Sequence, residues 1–92
     1  MDGFVSVFPN PVRDILTVVI DDTGYVQNLR SRSAPTFDVR LYSRQGNLLQ
    51  QRKTKGGTVE FNVFNLPNGL YIVHVYDGIN PMPVMRAVVV ER

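Results

Sequence analysis

The chain has no cysteine and no tryptophan, and only one histidine. Without cysteine there is no disulfide and no thiolate metal site, and the redox compartment is left undetermined. No stretch approaches the roughly 20 apolar residues of a membrane helix, and the N-terminus lacks the charged-then-apolar order of a signal peptide. Charge of one sign is also scarce. Ten Lys and Arg stand against eight Asp and Glu, a net charge of +2, so the pI of about 9.3 reflects a small imbalance and argues little for a polyanionic partner. Apolar stripes at helical spacing are missing too, since prolines and glycines interrupt every long window.

What is present is a chain of 92 residues, 43% of them hydrophobic. That is one domain, whose folding buries roughly 60–65% of its unfolded surface and leaves little room for a deep enzyme cleft. The stretch it is organised around is Asn65-Leu66-Pro67-Asn68-Gly69 followed by Leu70 to Tyr76. Proline and glycine bracket a tight turn, and seven residues that are nearly all aromatic or β-branched follow. Tyr71, Val73 and Val75 share one face; Leu70, Ile72, His74 and Tyr76 share the other. With both faces largely apolar, this is expected to be a central strand.

Around it, residues alternate with period two. Phe4 to Phe8 is a strand ended by Pro9-Asn10-Pro11, where two prolines remove two donors and force a kink at a sheet edge. The plain reading of that kink is an edge blunted against aggregation. Asp14 to Asp21 places Leu16, Val18 and Ile20 inward, and Thr36 to Ser43 does the same with Phe37, Val39 and Leu41. Arg44-Gln45-Gly46-Asn47 is a hairpin turn, Leu48 to Lys53 a polar edge strand, and Thr54 to Gly57 a second turn. Thr58 to Val63 points Val59, Phe61 and Val63 inward. Residues 22–35 form a long polar loop with Arg30 and Arg32, in which Tyr25, Val26 and Leu29 either cover part of the core or add a short strand. After a turn at Asp77 to Pro83, a last strand runs from Val84 to about Glu91; its faces are open, because Val88, Val89 and Val90 are all apolar and Arg86 fits either side. Seven short strands with frequent turns indicate an all-β, immunoglobulin-like antiparallel sandwich of two sheets. Tyr71, just after Gly69, fits a tyrosine corner, its hydroxyl bonding back to main chain.

Chemistry is hard to find. His74 sits mid-strand with no orienting partner in view, so a structural histidine is favoured over a general base. Asp21, Asp22 and Asp77 lie at strand ends, but no aspartate-rich spacing supports calcium. No serine has nucleophile context and no glycine pair opens a helix. Arg52, Lys53 and Lys55 cluster at one hairpin, yet no aromatic is tied to them as a nucleic-acid groove would need. No catalytic residue, cofactor, metal or nucleic-acid partner is therefore expected.

Four segments occur in a telling order: Val5-Ser6-Val7-Phe8-Pro9-Asn10-Pro11, Val39-Arg40-Leu41-Tyr42 with Gly46, Leu66-Pro67-Asn68-Gly69-Leu70-Tyr71-Ile72-Val73, and a valine-rich terminal strand. Together they resemble the type A C-terminal sorting domain of type IX secretion cargo from Bacteroidetes, over essentially the whole chain. The resemblance implies a single domain, residues 1–92, at the end of a longer secreted protein. Such a domain directs its N-terminal cargo through the outer-membrane translocon, and a sortase-like peptidase commonly removes it as the cargo is attached to the cell surface or released. It implies no catalysis and no insertion in the membrane. By the same resemblance, Pro9, Asn10 and Pro11 match the proline motif, Gly69 and Tyr71 the Gly-x-Tyr motif, and Arg86 with Val88, Val89 and Val90 the basic-then-apolar ending. Three departures stand out: Arg86 replaces a usual lysine, the chain ends Glu91-Arg92 instead of on lysine, and the polar loop at 22–35 is longer than the resemblance leads one to expect.

A pocketless sandwich of this kind is read through edge backbone and terminal-strand side chains, by strand addition, which makes the last strand the expected recognition element. Two other classes compete. An accessory module binding polysaccharide, or acting as a spacer, would show Tyr42 and Tyr76 as a flat aromatic platform; a free-standing periplasmic protein would dimerise through its edge strands.

Overall fold

The computed structural model describes residues 4–21 and 36–92. The polar stretch 22–35, with Arg30, Arg32 and the expected cover or strand from Tyr25, Val26 and Leu29, lies outside the described residues, as do Asp22 and Met1 to Gly3. The strands are β1 (Val5–Phe8), β2 (Ile15–Ile20), β3 (Phe37–Ser43), β4 (Leu48–Thr54), β5 (Gly57–Asn62), β6 (Gly69–Tyr76) and β7 (Val84–Val90). They pair antiparallel into two sheets, of order β1-β2-β5 and β4-β3-β6-β7. This is the expected sandwich of seven strands. Among the described residues no helix is long and apolar enough to cross a membrane.

The register explains why one set of side chains meets inside. Leu16 lies opposite Phe61 and Val18 opposite Val59 in the first sheet. Val39 opposes Val75 and Leu41 opposes Val73 in the second. Alternation sends each of these pairs to the same side. Phe37, Phe61, Leu16 and Leu41 are the largest side chains wholly removed from water, each worth about 1.5–3 kcal/mol relative to exposure. The strand from 69 to 76 is central, flanked by β3 and β7 as its two-sided apolarity predicts. Gly46 closes the β3–β4 hairpin with φ of +93°, a backbone state that side chains resist.

Pairing settles the faces of the last strand. Val88 and Val90 point into the core while Val89 points out, because Val88 pairs with Tyr71 and Val90 with Gly69. Arg86 shares the inward parity, at the open margin between the sheets. After β1, the chain does not turn directly into β2. It crosses to the other sheet, where Val12 pairs in parallel with Val90, and only then returns.

Candidate functional site

The sequence segments singled out above come together on β7, one along each of its edges. Its inner edge pairs with β6, bringing Gly69 beside Val90 and Tyr71 beside Val88. The ring of Tyr71 is buried, and its hydroxyl donates a 2.6 Å hydrogen bond to the Pro67 carbonyl. That is the corner bond expected from the sequence, and it ties the start of β6 to the turn before it.

The outer edge of β7 is covered by residues 10–12. The Asn10 side chain bonds it twice: its Nδ2 donates to the Ala87 carbonyl at 3.1 Å, and its Oδ1 accepts from the Val89 amide at 2.9 Å. The backbone of Val12 continues the contact, donating to the Val89 carbonyl at 2.8 Å and accepting from the Glu91 amide at 3.0 Å. Val12 itself is fully buried. The kink at Pro9-Asn10-Pro11 therefore lies at a sheet edge, as its prolines require, and the edge it blunts belongs to the opposite sheet. Strand addition along β7 requires this segment to leave first.

Arg86 is spent on the frame. Its Nε donates to the Val5 carbonyl of β1 at 3.1 Å, and its Nη1 to the Met85 carbonyl at 3.0 Å, so it bridges the two sheets beside the strap. Arg92 reaches back to the turn before β6: Nη1 donates to the Leu66 carbonyl at 2.6 Å, Nη2 to the Val63 carbonyl, and the guanidinium lies 5.6 Å from the centre of the Phe64 ring.

Of the residues expected to be recognised, Val88, Val90 and Tyr71 are interior, whereas Pro9, Asn10, Pro11, Gly69 and Val89 are exposed. On the outer face Val89 has neighbours from β6, which the sequence had placed on one face, and from β7 itself, where Ala87 and Met85 were not singled out. Leu70 opposes Val89, Ile72 opposes Ala87 and His74 opposes Met85. Val89, Leu70 and Met85 are 38%, 39% and 52% exposed, so an apolar ladder runs along the outside of this sheet. Strict alternation from a known register would have found Met85 and Ala87. Val12 carried one signal, a lone apolar residue after a proline; Arg92 carried none.

Further along that face lies a polar cluster. Arg40 pairs with Asp38 at 2.9 Å, donates to the Tyr42 hydroxyl at 3.2 Å and lies 4.7 Å over the Tyr76 ring. Gln51 donates to the other oxygen of Asp38 at 2.8 Å. Partial burial works to raise the Asp38 carboxyl, but bonds from Arg40 and Gln51, with the charges of Arg40 and Lys53, outweigh it and hold the pKa below its ordinary value. Tyr42 and Tyr76 flank His74 at 4.5 and 6.2 Å, tilted by 52° and 41°. Tilted rings with a guanidinium over one of them do not form the flat platform a sugar would stack on. His74 Nδ1 is buried without a hydrogen-bond partner, and burial, then the Arg40 charge, lowers its pKa. Among the described residues no carboxylate bonds its ring to orient it for base catalysis.

Asp77 uses its oxygens locally, accepting from the amides of Ile79 and Asn80, both at 2.8 Å, and from Asn80 Nδ2 at 2.7 Å. That is a turn-forming role. Among the described residues no three His, Asp or Glu side chains gather as a metal site. At the basic hairpin Arg52 stacks over Phe61 at 5.4 Å, covering core edge.

The comparisons with known proteins point one way. The family model for the secretion system C-terminal sorting domain matches residues 6–91. Among solved structures, 99% of this chain superposes, with a TM-score of 0.71 and 25% identity, on part of PorZ from Porphyromonas gingivalis, described as an essential bacterial surface component of the type-IX secretion system. The chain spans 12% of that protein's length. No curated protein matches it.

Proposed function

The chain belongs to the family of type IX secretion system C-terminal sorting domains, and from that premise we propose that it is a non-catalytic address which takes an N-terminally attached cargo across the outer membrane to the cell surface or the medium. The observation that carries this reading is the family match over residues 6–91, which takes in all seven strands but the first residue of β1. Residues 1–92 then act as one domain at the end of a longer secreted chain. The partners are the outer-membrane translocon and a sortase-like peptidase acting upstream of β1. The β7 strand, with its exposed row of Val89, Ala87 and Met85, forms the surface a partner meets.

A reporter with its own N-terminal export signal, fused ahead of residues 1–92, tests the proposal. In a host with an intact type IX translocon, the reporter becomes accessible to protease added to whole cells. In the same host lacking the translocon it stays periplasmic. A reporter that remains periplasmic in both, or reaches the surface in both, overturns the proposal.

A further inference from the structure

The outer edge of β7 already has an occupant, and that occupant is unusually slight. We propose that residues 10–12 are a removable strap over a strand-acceptor edge, with Asn10 as its latch and not as an epitope; this rests on the sorting reading above. The edge accepts an extended partner strand that enters as the strap lifts.

A side-chain amide carries one carbonyl acceptor and an NH2 donor, the same pair that a peptide unit presents. Asn10 places that pair on Ala87 and Val89 as a neighbouring strand would. An incoming backbone can therefore take over both bonds without leaving a β7 group unpaired. The strap is also short. Pro9 and Pro11 have no amide hydrogen to give, so among residues 9–12 the only backbone groups bonded to β7 are those of Val12. Held by two side-chain bonds, two backbone bonds and one buried side chain, the segment opens locally at a free energy below that of the whole domain. The central strands of the same sheet are bonded on both sides and have no such route.

The footprint of the strap describes the partner. Val12 runs parallel to Val90 and its side chain is fully buried. The replacing strand therefore runs parallel to β7 and supplies a small, β-branched apolar residue where Val12 was. The side chains flanking it then fall beside Val89 and Glu91 on the outer face, which are exposed.

Two measurements test this, the first on the 92-residue chain and the second on the reporter fusion. In amide hydrogen exchange, Val12 is expected to exchange at least tenfold faster than Leu41 and Val73 at the centre of the sheet. Asn10→Ala speeds Val12 about tenfold further, as the loss of one or two hydrogen bonds implies, and leaves Leu41 and Val73 unchanged. Asn10→Asp, which keeps the acceptor and loses the donor, shifts Val12 in the same direction. Exchange of Val12 in step with Leu41 and Val73 overturns the strap. In the reporter fusion, folded Asn10→Ala is exported as well as wild type, or better. Several-fold loss of export in that folded variant makes Asn10 an epitope and overturns the latch. Failure of the wild-type fusion to be exported sinks the sorting reading instead, and the exchange result then decides the strap by itself.

Discussion

The four-stranded sheet has two edges, β4 and β7, and they are protected in opposite ways. β4 reads Leu-Leu-Gln-Gln-Arg-Lys-Thr and pairs with β3 alone. Its polar and charged side chains make it a poor template for another chain, so its backbone can stay open. β7 reads Val-Met-Arg-Ala-Val-Val-Val, an apolar, β-branched run that would invite pairing if bare. Here the guard is a second piece of backbone: Asn10 and Val12 take the Ala87, Val89 and Glu91 groups, and Arg86 takes the Met85 carbonyl. Composition guards one edge permanently. The other is guarded by the side chain of Asn10 and the backbone of Val12, the contact whose exchange is proposed above.

The sharpest way to break this comparison is to truncate one apolar side chain at each edge. Val12→Ala removes two buried methyl groups and leaves a gap beneath the strap, for an expected loss of about 2 kcal/mol. Leu48→Ala on β4, where the side chain is 48% exposed, should stay within about 0.5 kcal/mol. Urea unfolding of both variants gives the answer, and equal losses would mean that the two edges are held alike. A smaller effect is expected on the other side of β7. Tyr71→Phe keeps the buried ring and deletes only the 2.6 Å bond to Pro67, costing about 1 kcal/mol. A loss below about 0.5 kcal/mol would remove the corner bond from the account of how the inner edge is held.

What could be foreseen of these edges followed range along the chain. Period-two alternation exposed the inward faces of β3 and β5, because each carries polar residues on its other side; on β2 only Thr17 does so, between the outward Ile15 and Val19. The corner at Tyr71 was legible since its partner, Pro67, is four residues away. The faces of Val88 to Val90 were not, because three adjacent valines carry no alternation; only pairing with Gly69 and Tyr71 decides them. Pro9-Asn10-Pro11 declared a kink at an edge. Which edge it covers depends on a contact between Asn10 and Val89, 79 residues on, and no local rule reaches that far. Arg92 is similar: its guanidinium finds carbonyls at 63 and 66 only after β7 has paired with β6. Asp77 was noticed as a strand-end carboxylate, and its role in the turn needed only the two amides that follow.

The smallest predicted effect lies on the outer face midway between the two edges, at His74. Arg40 of β3 stands across from it on one side and Met85 of β7 on the other, with the Tyr42 and Tyr76 rings alongside. Asp38 lies on the same face, but its oxygens are engaged by Arg40 and Gln51. Burial, and then the Arg40 charge, hold the folded pKa of His74 below 6.5, so on acidification the unfolded chain takes up its proton first. Stability from this group is therefore complete above about pH 6.5, declines as pH falls below it, and levels off beneath the folded pKa. Asp38 behaves separately: its folded pKa is lowered from 3.8, so its contribution is present above that value and is lost only as pH falls through the still lower folded pKa. The interval from pH 7.5 to 5 brackets the ordinary histidine value and stays above that of Asp38, and His74 is the only histidine in the chain. Urea midpoints should fall across it for wild type and stay level for His74→Gln, with the shift smaller than that of Tyr71→Phe. If His74→Gln falls as steeply as wild type, the imidazole is not the titrating group, and the middle of this sheet is no more pH-sensitive than its edges.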